Sequence, residues 1–395
     1  MKTFDTDMHE KTEADVILSV VLPCLNEAKT LEKAIGTAAE LISSTGMKGE
    51  IVLSDNGSTD GSREIAERAG ARVVSAERKG YGFALMSGIR AARGSIIVMG
   101  DADATYDFRE AKQLVEAVDA GADLAMGSRL RGNIEEGAMP YLHRHLGTPV
   151  LTWLIRRFFG LSITDCNCGM RAFSKKAFER MDLISGGMEF ASEMLIKAAL
   201  CGMKVVEYPI SLLKDTRDRA PHLHTWRDGW RHLRFILIFA PHVTFFIPGM
   251  VLFILFGIET LLLSFGVVTV GAFLFDYHHL FYSVPLFIIG YQMLWFARLS
   301  EQFRNFSGYD TVQRHRYGKF NMELWLLVGV AMAIGGLAIF GIVFASWIAS
   351  GHGELFAIRR GVAGLALLLL GVTTIMNSFM MSMLELNLDR GAGGK

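Results

Sequence analysis

The segment GSIIVMGDADATYD, residues 94–107, joins a short apolar run to closely spaced aspartates. The apolar run, residues 96–99, predicts a buried β-strand. Asp101 and Asp103 follow this strand directly, so a sheet would hold both carboxylates at one of its edges. Such a pair is typical either of a solvated turn or of a divalent-cation site, and the motif alone does not decide between them.

Strands and helices alternate on both sides of this segment. Strands are predicted at residues 16–22, 50–54, 71–76, 95–100 and 122–129, and helices at 28–43, 80–94 and 109–121, with another after an N-cap at Thr59 or Asp60. The alternation predicts an α/β fold with a mostly parallel sheet, whose ligands bind beyond the carboxyl ends of the strands. Asp55 and Asp101 both fall at such ends. The glycine-rich turn of dinucleotide-binding folds and the Walker motif are both missing from the sequence.

Composition separates the chain into a mixed and an apolar part. The 395 residues carry 40 basic and 40 acidic side chains, so the net charge provides no argument for nucleic-acid binding. The mean hydropathy of +0.31 reflects four apolar stretches near residues 243–272, 280–297, 324–350 and 361–384. Each reaches or approaches the length of about 20 residues that crosses a bilayer, which predicts four transmembrane helices.

The distribution of basic residues predicts the orientation in the membrane. Lysine and arginine are concentrated between the second and third apolar stretches, at Arg298, Arg304, Arg314, Arg316 and Lys319. The turn between the first and second stretches carries neither residue, whereas Arg359 and Arg360 argue weakly in the opposite direction. The positive-inside rule therefore predicts an integral membrane protein whose large N-terminal domain is cytosolic, in the cell membrane or in the endoplasmic reticulum of a eukaryote.

Five segments resemble, in order and spacing, the family 2 glycosyltransferases, and in particular polyprenyl-phosphate sugar transferases such as dolichol-phosphate mannose or glucose synthases. They are VVLPCLNEA (20–28), SDNGSTDGS (54–62), GDADATYD (100–107), GSRLRG (127–132) and DCNCGMRAF (165–173). The resemblance covers roughly residues 16–240 and implies a GT-A-type nucleotide-sugar domain. The expected organisation is a disordered tail (1–15), the GT-A domain (16–222), an amphipathic interface helix (223–240), four transmembrane helices (241–388) and a C-terminal tail (389–395).

The resemblance also implies a donor site for a nucleotide sugar. Its metal ion, Mg²⁺ or Mn²⁺, would be held by Asp101 and Asp103, which are also expected to be catalytic, and would neutralise the diphosphate leaving group. The residues expected to bind the donor are Pro23, Asn26, Glu27, Asp55, Asn56, Lys79, Gly80, Asp101 and Ala102. Thr105 stands where the family often has glutamine, and Asp107 is expected to cap a helix.

The acceptor side is expected to bind a lipid phosphate. The expected contacts are Arg129, Arg144, Thr148 and one or both of Arg217 and Arg219. Asp165 matches the family position of a candidate general base, and its alternative is a structural ion pair with Arg171. Trp226 and Trp230 lie on one face of a basic helix, which either lies in the lipid headgroup layer or packs on the catalytic domain.

The sequence therefore favours an inverting, membrane-anchored transferase that moves a monosaccharide to undecaprenyl or dolichyl phosphate. A processive polysaccharide synthase is the alternative enzyme; its Q-x-x-R-W motif is approached by residues 313–317, which end in Tyr317. A non-catalytic scaffold that binds nucleotide sugars is the alternative of another class. A homo-oligomer is left open, and no nucleic-acid partner is expected.

Overall fold

The computed structural model of the chain describes residues 16–217, 225–271, 273–306, 320–352 and 357–392. The chain divides into two compact units, Met1–Ile236 and Leu237–Lys395. The expectations for the tail 1–15, for Arg219 and for the segment 313–319 lie outside the described residues.

The first unit contains a sheet that has seven strands among the described residues. They are β1 (Leu18–Cys24), β2 (Gly49–Asp55), β3 (Arg72–Ser75), β4 (Ile96–Met99), β5 (Leu124–Ser128), β6 (Arg171–Ser174) and β7 (Val205–Pro209). Their order is β3-β2-β1-β4-β6-β5-β7, and β6 runs antiparallel to β4 and β5 while the other neighbours are parallel. The predicted α/β class with a mostly parallel sheet is confirmed.

The central strands are buried along their whole length. All residues of β1 and β4 are buried, as expected for parallel strands covered by helices on both faces. The register pairs Cys24 with Asp55, so β1 and β2 end level with each other, and it pairs Val21 with Met99, so β4 ends three residues earlier at the same edge. Three neighbouring strands thus present the loops that follow them at one edge of the sheet.

Helices connect these strands. They are α1 (Leu31–Thr45), α2 (Ser62–Arg68), α3 (Tyr81–Ala91), α4 (Lys112–Asp119), α5 (Thr148–Phe159), α6 (Lys175–Met181), α7 (Phe190–Leu200) and α8 (Thr225–Phe239). Helix α1 buries Leu31, Ile35 and Ala38, a helical spacing that places one apolar stripe on the sheet. It ends at Gly46, whose φ of +66° is the left-handed conformation that closes a helix.

Two predicted helix starts were wrong. Helix α1 begins at Leu31 rather than at residue 28, because Ala28 N–H donates to Asp60 Oδ2 (3.0 Å) and so belongs to a turn. Helix α2 is preceded by Gly61, at φ +86°, rather than capped by Thr59 or Asp60. Asp60 Oδ1 does accept from Ser62 N–H (3.1 Å). The same carboxylate also accepts, through Oδ2, from Ala28 N–H in the turn after β1. The expected cap at Asp107 is confirmed by its bond from Arg109 N–H.

Helix α8 has two different faces. Asp228, His232 and Ile236 are buried, whereas Trp226 and Trp230 are 81% and 58% exposed. Within the first unit, His232 Nδ1 lies 2.7 Å from the hydroxyl of Ser192 on α7. Burial lowers the pKa of His232 to about 4, so the ring is neutral in this contact. The helix therefore packs on the rest of the first unit by one side and exposes two tryptophans on the other.

The second unit contains helices α9 (Ile247–Phe265), α10 (Leu280–Phe306), α11 (Met322–Ala349) and α12 (Ile358–Ala392), with a hairpin of β8 (Val268–Val270) and β9 (Phe273–Phe275). Among the described residues, four helical segments are long and apolar enough to cross a membrane. They are His242–Phe265, Tyr277–Arg304, Met322–Ala349 and Ile358–Leu384. The predicted region of four apolar helices is confirmed.

Small residues let α11 and α12 approach closely. A Cβ added to Gly371 would lie 2.6 Å from the carbonyl oxygen of Gly329, and one added to Gly336 would lie 2.7 Å from that of Gly364. In lipid, apolar side chains gain little by leaving the equally apolar surroundings. Van der Waals packing between closely spaced backbones can hold such helices together instead.

Candidate active site

The donor-side residues predicted from the sequence meet at the carboxyl edge of the sheet. Cys24 and Asp55 are paired at the ends of β1 and β2, and Asp101 follows β4 by two residues. Pro23 is buried within β1. The site is therefore formed by the loops after three adjacent strands.

Asn26 locks the loop after β1 to the loop after β2. Its N–H donates to Ser58 Oγ (2.9 Å), and its Oδ1 accepts from Thr59 N–H (2.8 Å). Asn26 has a φ of +59°, in the left-handed region that asparagine adopts more readily than most residues. These bonds give the turn its shape and explain why a helix does not begin there.

Asp55 is 2% exposed and uses both oxygens inside its own loop. Oδ1 accepts from Ser58 N–H (3.0 Å), and Oδ2 accepts from Arg63 Nη1 (3.1 Å). The next residue, Asn56, accepts from Gly80 N–H through Oδ1 (3.1 Å). The structure thus brings Asn56 and Gly80 into direct contact.

The segment before α3 forms a tightly packed wall of the site. Gly80 has a φ of +146°, and a Cβ there would lie 2.3 Å from the carbonyl oxygen of Gly186. Lys79 precedes it with an exposed side chain. Only a residue without a side chain fits at Gly80, whereas Lys79 points its charge into solvent.

Asp101 lies in a setting that disfavours its ionised form. Burial, followed by the charge of Asp103, raises the pKa of Asp101 to about 7, although the Tyr81 hydroxyl and the charges of Arg217 and Arg129 oppose the rise. Tyr81 donates to Asp101 Oδ1 over 2.9 Å. A bound cation would favour the ionised carboxylate and offset this cost.

Asp103 is held by hydrogen bonds to both oxygens. Oδ1 accepts from the N–H (3.1 Å) and the hydroxyl (2.6 Å) of Thr105, and Oδ2 lies 3.0 Å from Arg217 Nη2. The carbonyl of Ala102 accepts from Thr30 Oγ1 (3.1 Å), which fixes the backbone between the two aspartates. Thr105 thus orients Asp103.

Arg217 lies among donor-side carboxylates. It forms a two-pronged ion pair with Asp215 (Nε–Oδ1 2.9 Å, Nη2–Oδ2 2.7 Å), and Nη1 donates to Glu27 Oε1 (2.9 Å). Its Nη2 also contacts Asp103. The sequence associated Arg217 with the acceptor phosphate and overlooked Asp215, whose only signal is its position two residues before an arginine.

The two aspartates fit part of a divalent-cation site. Carboxylate oxygens are the ligands that Mg²⁺ and Mn²⁺ prefer. No group of three or more His, Cys, Asp or Glu side chains is arranged to hold a metal ion in the part of the chain that the structure describes. Asp101 and Asp103 would therefore need further oxygens from water or from a bound ligand, an arrangement usual for Mg²⁺ with phosphates.

Arg129 and Asp165 form a buried ion pair. Arg129 Nε lies 2.7 Å from Asp165 Oδ2, and Nη2 lies 2.8 Å from Oδ1. Asp165 is fully buried and also accepts from the N–H groups of Arg129 and Asn167. Both oxygens of Asp165 are engaged in hydrogen bonds, so the carboxylate fixes the orientation of Arg129.

The alternative partner of Asp165 predicted from the sequence was wrong. Arg171 is fully buried, and its guanidinium donates to the carbonyls of Cys168 (3.0 Å), Ala191 (2.7 Å) and Cys166 (2.9 Å). Burial lowers the pKa of Arg171. This arginine ties the loop before β6 to α7.

The other acceptor-side predictions lie at the start of α5. Thr148 is 3% exposed and accepts from Asn167 Nδ2 (3.3 Å), next to Asp165. Arg144 is exposed, on a π-helical turn, His143–Gly147. The neighbouring His143 has its pKa lowered by partial burial and by the charge of Arg129. The sequence did not single out His143.

The segment that leads into α5 and the first half of α5 itself expose a row of large apolar side chains. Tyr141 is 80% exposed, Leu146 54%, Val150 45% and Trp153 60%. Such an exposed apolar row is typical of an interaction surface. Together with the tryptophans of α8, it gives the catalytic unit two apolar surfaces.

A mostly parallel sheet with one reversed strand, carboxylates after β4 and an apolar four-helix region are consistent with a membrane glycosyltransferase of the GT-A class. The chain belongs to glycosyltransferase family 2. Residues 19–182 match the model of the family 2 glycosyl transferases, and residues 295–385 match that of the C-terminal transmembrane region of this family.

Similar proteins include a low-salt glycan biosynthesis hexosyltransferase of Haloferax volcanii. It is 36% identical over 372 residues, which cover 93% of this chain and 89% of that protein. A dolichyl-phosphate hexose transferase of the same organism is 31% identical over 194 residues, 49% of this chain and 81% of that protein.

Structural comparison finds glucosyl-3-phosphoglycerate synthase from Mycobacterium tuberculosis. Its complex with phosphoglyceric acid is 23% identical, has a TM-score of 0.46, and covers 58% of this chain and 81% of that chain. Its complex with Mn²⁺, uridine diphosphate and glucosyl-3-phosphoglycerate is 24% identical, has a TM-score of 0.44, and covers 57% of this chain and 79% of that chain.

Proposed function

We propose that this protein transfers a hexose from a nucleotide sugar to a polyprenyl phosphate, with inversion at the anomeric carbon, on the cytosolic face of the membrane. One observation carries the proposal: a Cβ added to Gly169 would lie 2.8 Å from Asp101 Oδ2, so Asp101 lies against the loop that contains Asp165, and Asp165 orients Arg129. The proposed cation site and the proposed phosphate-binding guanidinium are therefore close together. The names of the two Haloferax relatives, a hexosyltransferase and a dolichyl-phosphate hexose transferase, support this choice of substrates.

The donor side of the site promotes departure of the diphosphate leaving group. Asp101 and Asp103 would hold Mg²⁺ or Mn²⁺, which neutralises the charge that develops on the diphosphate. Thr105 keeps Asp103 in position, and Tyr81 does the same for Asp101. The interlocked loops that contain Asn26 and Asn56 form the wall for the nucleoside.

The acceptor side of the site orients the lipid phosphate. A planar guanidinium binds phosphate oxygens in a fixed geometry, and Asp165 prevents Arg129 from rotating away. A lipid phosphate is already anionic at neutral pH, so it can attack without a general base. We therefore assign to Asp165 the positioning of Arg129, and to Thr148 and Arg144 the mouth of the acceptor site.

The apolar surfaces of the catalytic unit support a site at the lipid surface. Trp226 and Trp230 on α8 and Trp153 on α5 are exposed, and amphipathic rings of this kind favour the headgroup layer. The arginines between the second and third apolar helices favour the cytosolic side for the catalytic unit.

The test is a transfer assay with purified protein in detergent. Wild type would be incubated with Mn²⁺ or Mg²⁺, undecaprenyl or dolichyl phosphate, and a panel of radiolabelled nucleotide sugars. We expect label in the lipid extract only when metal is present, and a loss of at least about 100-fold in Asp103→Ala. Asp107→Ala is the matched control, because Asp107 caps a surface turn and should leave transfer almost unchanged.

Two other results would contradict the proposal. Label in a water-soluble polymer would indicate a processive synthase. Tight binding of nucleotide sugar without any turnover would indicate a scaffold.

A further inference from the structure

We propose that Arg217 is an internal counter-cation of the donor site, and that a divalent cation must displace it from Asp103. The inference rests on the proposed metal site. It assigns to this arginine a part in metal loading, beyond the binding of an acceptor phosphate.

The guanidinium is placed where it neutralises several acidic groups at once. It pairs with Asp215 (2.7 Å), Glu27 (2.9 Å) and Asp103 (3.0 Å), and its side chain is 13% exposed. The side chains of Glu27 and Asp103 are 8% and 14% exposed. Carboxylates this close to one another in a partly buried site repel, and one shared cation lowers that cost.

A metal ion bound to Asp103 would compete with the Arg217 guanidinium for one carboxylate oxygen. Thr105 holds Asp103 Oδ1 by two hydrogen bonds, and Arg217 Nη2 contacts Oδ2. A cation that binds Asp103 through Oδ2 therefore meets a positive charge about 3 Å from that oxygen. Displacing one Nη2 contact removes this competition and leaves Oδ1 in place.

Arg217 would stay nearby after it leaves Asp103. Its two-pronged pair with Asp215 is local, and the preceding chain is tied down where Leu213 N–H donates to the carbonyl of Thr105 (2.9 Å). The released edge of the guanidinium could then bind an anionic phosphate oxygen brought with the metal. Loading would exchange a carboxylate partner of Arg217 for a phosphate partner.

The chain contains a matched pair for comparison. Arg109 holds Asp107, also two residues before it, with the same set of Nε and Nη2 contacts. Its further contact is Glu40, at 3.4 Å on the surface, instead of a predicted metal ligand. Arg109→Gln therefore removes the same local ion pair without touching the donor site.

The test is a titration of full-length protein with Mn²⁺ in detergent, without nucleotide or lipid. Electron paramagnetic resonance of the free ion measures how much Mn²⁺ is bound. We expect Arg217→Gln to bind Mn²⁺ about tenfold more tightly than wild type, since a competing charge is removed. Arg109→Gln should match wild type. Arg217→Lys, which keeps the charge but loses the fork, should lie between wild type and Arg217→Gln, and it replaces the glutamine variant if that protein does not fold.

Unchanged or weaker Mn²⁺ binding in Arg217→Gln would overturn the inference, as would the absence of binding in wild type and every variant. Because this measurement needs no acceptor lipid, it is separate from the transfer assay. Tighter binding by Arg217→Gln in a protein that transfers nothing to lipid would refute the proposed function and leave this inference standing.

Discussion

Asp101 and Asp103 are two residues apart, yet the structure gives them different surroundings. Asp101 is partly buried beside a second acid and receives one phenolic hydrogen bond, from Tyr81. Asp103 is bonded to Thr105 and paired with Arg217. The ionised form of Asp101 is therefore costly in the folded protein, whereas Asp103 has a polar partner on each of its carboxylate oxygens.

This difference predicts a pH-dependent effect of Asp101→Asn on stability. The pKa of Asp101 is raised to about 7 in the folded protein, so between about pH 4 and pH 7 the unfolded chain loses this proton first, and folding stability falls as pH rises. In buffer with a chelator, Asp101→Asn should therefore raise Tm at pH 8 and leave it almost unchanged at pH 4. Thermal denaturation in detergent at both pH values measures this.

Asp107 provides the control of opposite sign. Hydrogen bonds from Arg109 lower the pKa of Asp107, so its charge stabilises the fold above its ordinary pKa. Asp107→Asn should lower Tm slightly at pH 8. A lower Tm for Asp101→Asn at pH 8, or a change that is the same at both pH values, would contradict the account of Asp101.

Sequence patterns could locate the acidic residues but not their partners. Asp55 and Asp101 were predicted at the sheet edge because apolar runs show where strands end. The partner of Asp165 is Arg129 instead of Arg171, and Arg217 meets Glu27, 190 residues away. Such pairs depend on how distant loops pack, and no local pattern encodes that packing.

At the scale of secondary-structure elements, the wall before α3 depends on close contact between backbones. A Cβ on Gly82, in the first turn of α3, would lie 2.1 Å from the carbonyl oxygen of Ser185, and Gly82 N–H donates to the carbonyl of Gly186 (3.0 Å). Glu193 on α7 in turn accepts from the N–H groups of Ile184 (2.9 Å) and Ser185 (2.7 Å). The loop between α6 and α7 is therefore fixed from both sides.

Gly82→Ala should accordingly destabilise the protein by about 3 kcal/mol or more, because neither backbone can move away cheaply. Gly36→Ala is the matched control: Gly36 lies in α1 with nothing within 4 Å of an added Cβ, so alanine should stabilise by about 0.5–1 kcal/mol. Denaturation midpoints of both variants measure the difference. Equal midpoints for the two variants would refute the close packing at Gly82.

The first residues of helices were predicted less well than the positions of strands, again because contacts between distant loops decide them. Helix α1 itself was predicted, but the residues just before it donate backbone hydrogen bonds to Ser58 Oγ and Asp60 Oδ2 in another loop. The loops that form the site thus override local helix signals. Errors of this kind occur where side chains from different loops meet, which is also where ligands bind.

At the scale of the whole molecule, composition predicted that the chain contains an α/β part and an apolar helical part. Charged and apolar segments alternate in the sheet unit, and long apolar runs became the four helices of the second unit. The close glycine contacts of α11 and α12 were not predicted, because hydropathy reports that a helix is apolar and not which side meets its neighbour.

The central claim is that one hexose is joined to a lipid phosphate. The most direct measurement is mass spectrometry of the lipid extract after wild-type protein has reacted with metal, nucleotide sugar and a polyprenyl phosphate of known mass. We expect a single new lipid, heavier than the acceptor by one hexosyl unit, formed in equal amount with the released nucleoside diphosphate. An acceptor of unchanged mass while the nucleotide sugar is consumed, or a ladder of several added hexoses, would contradict it.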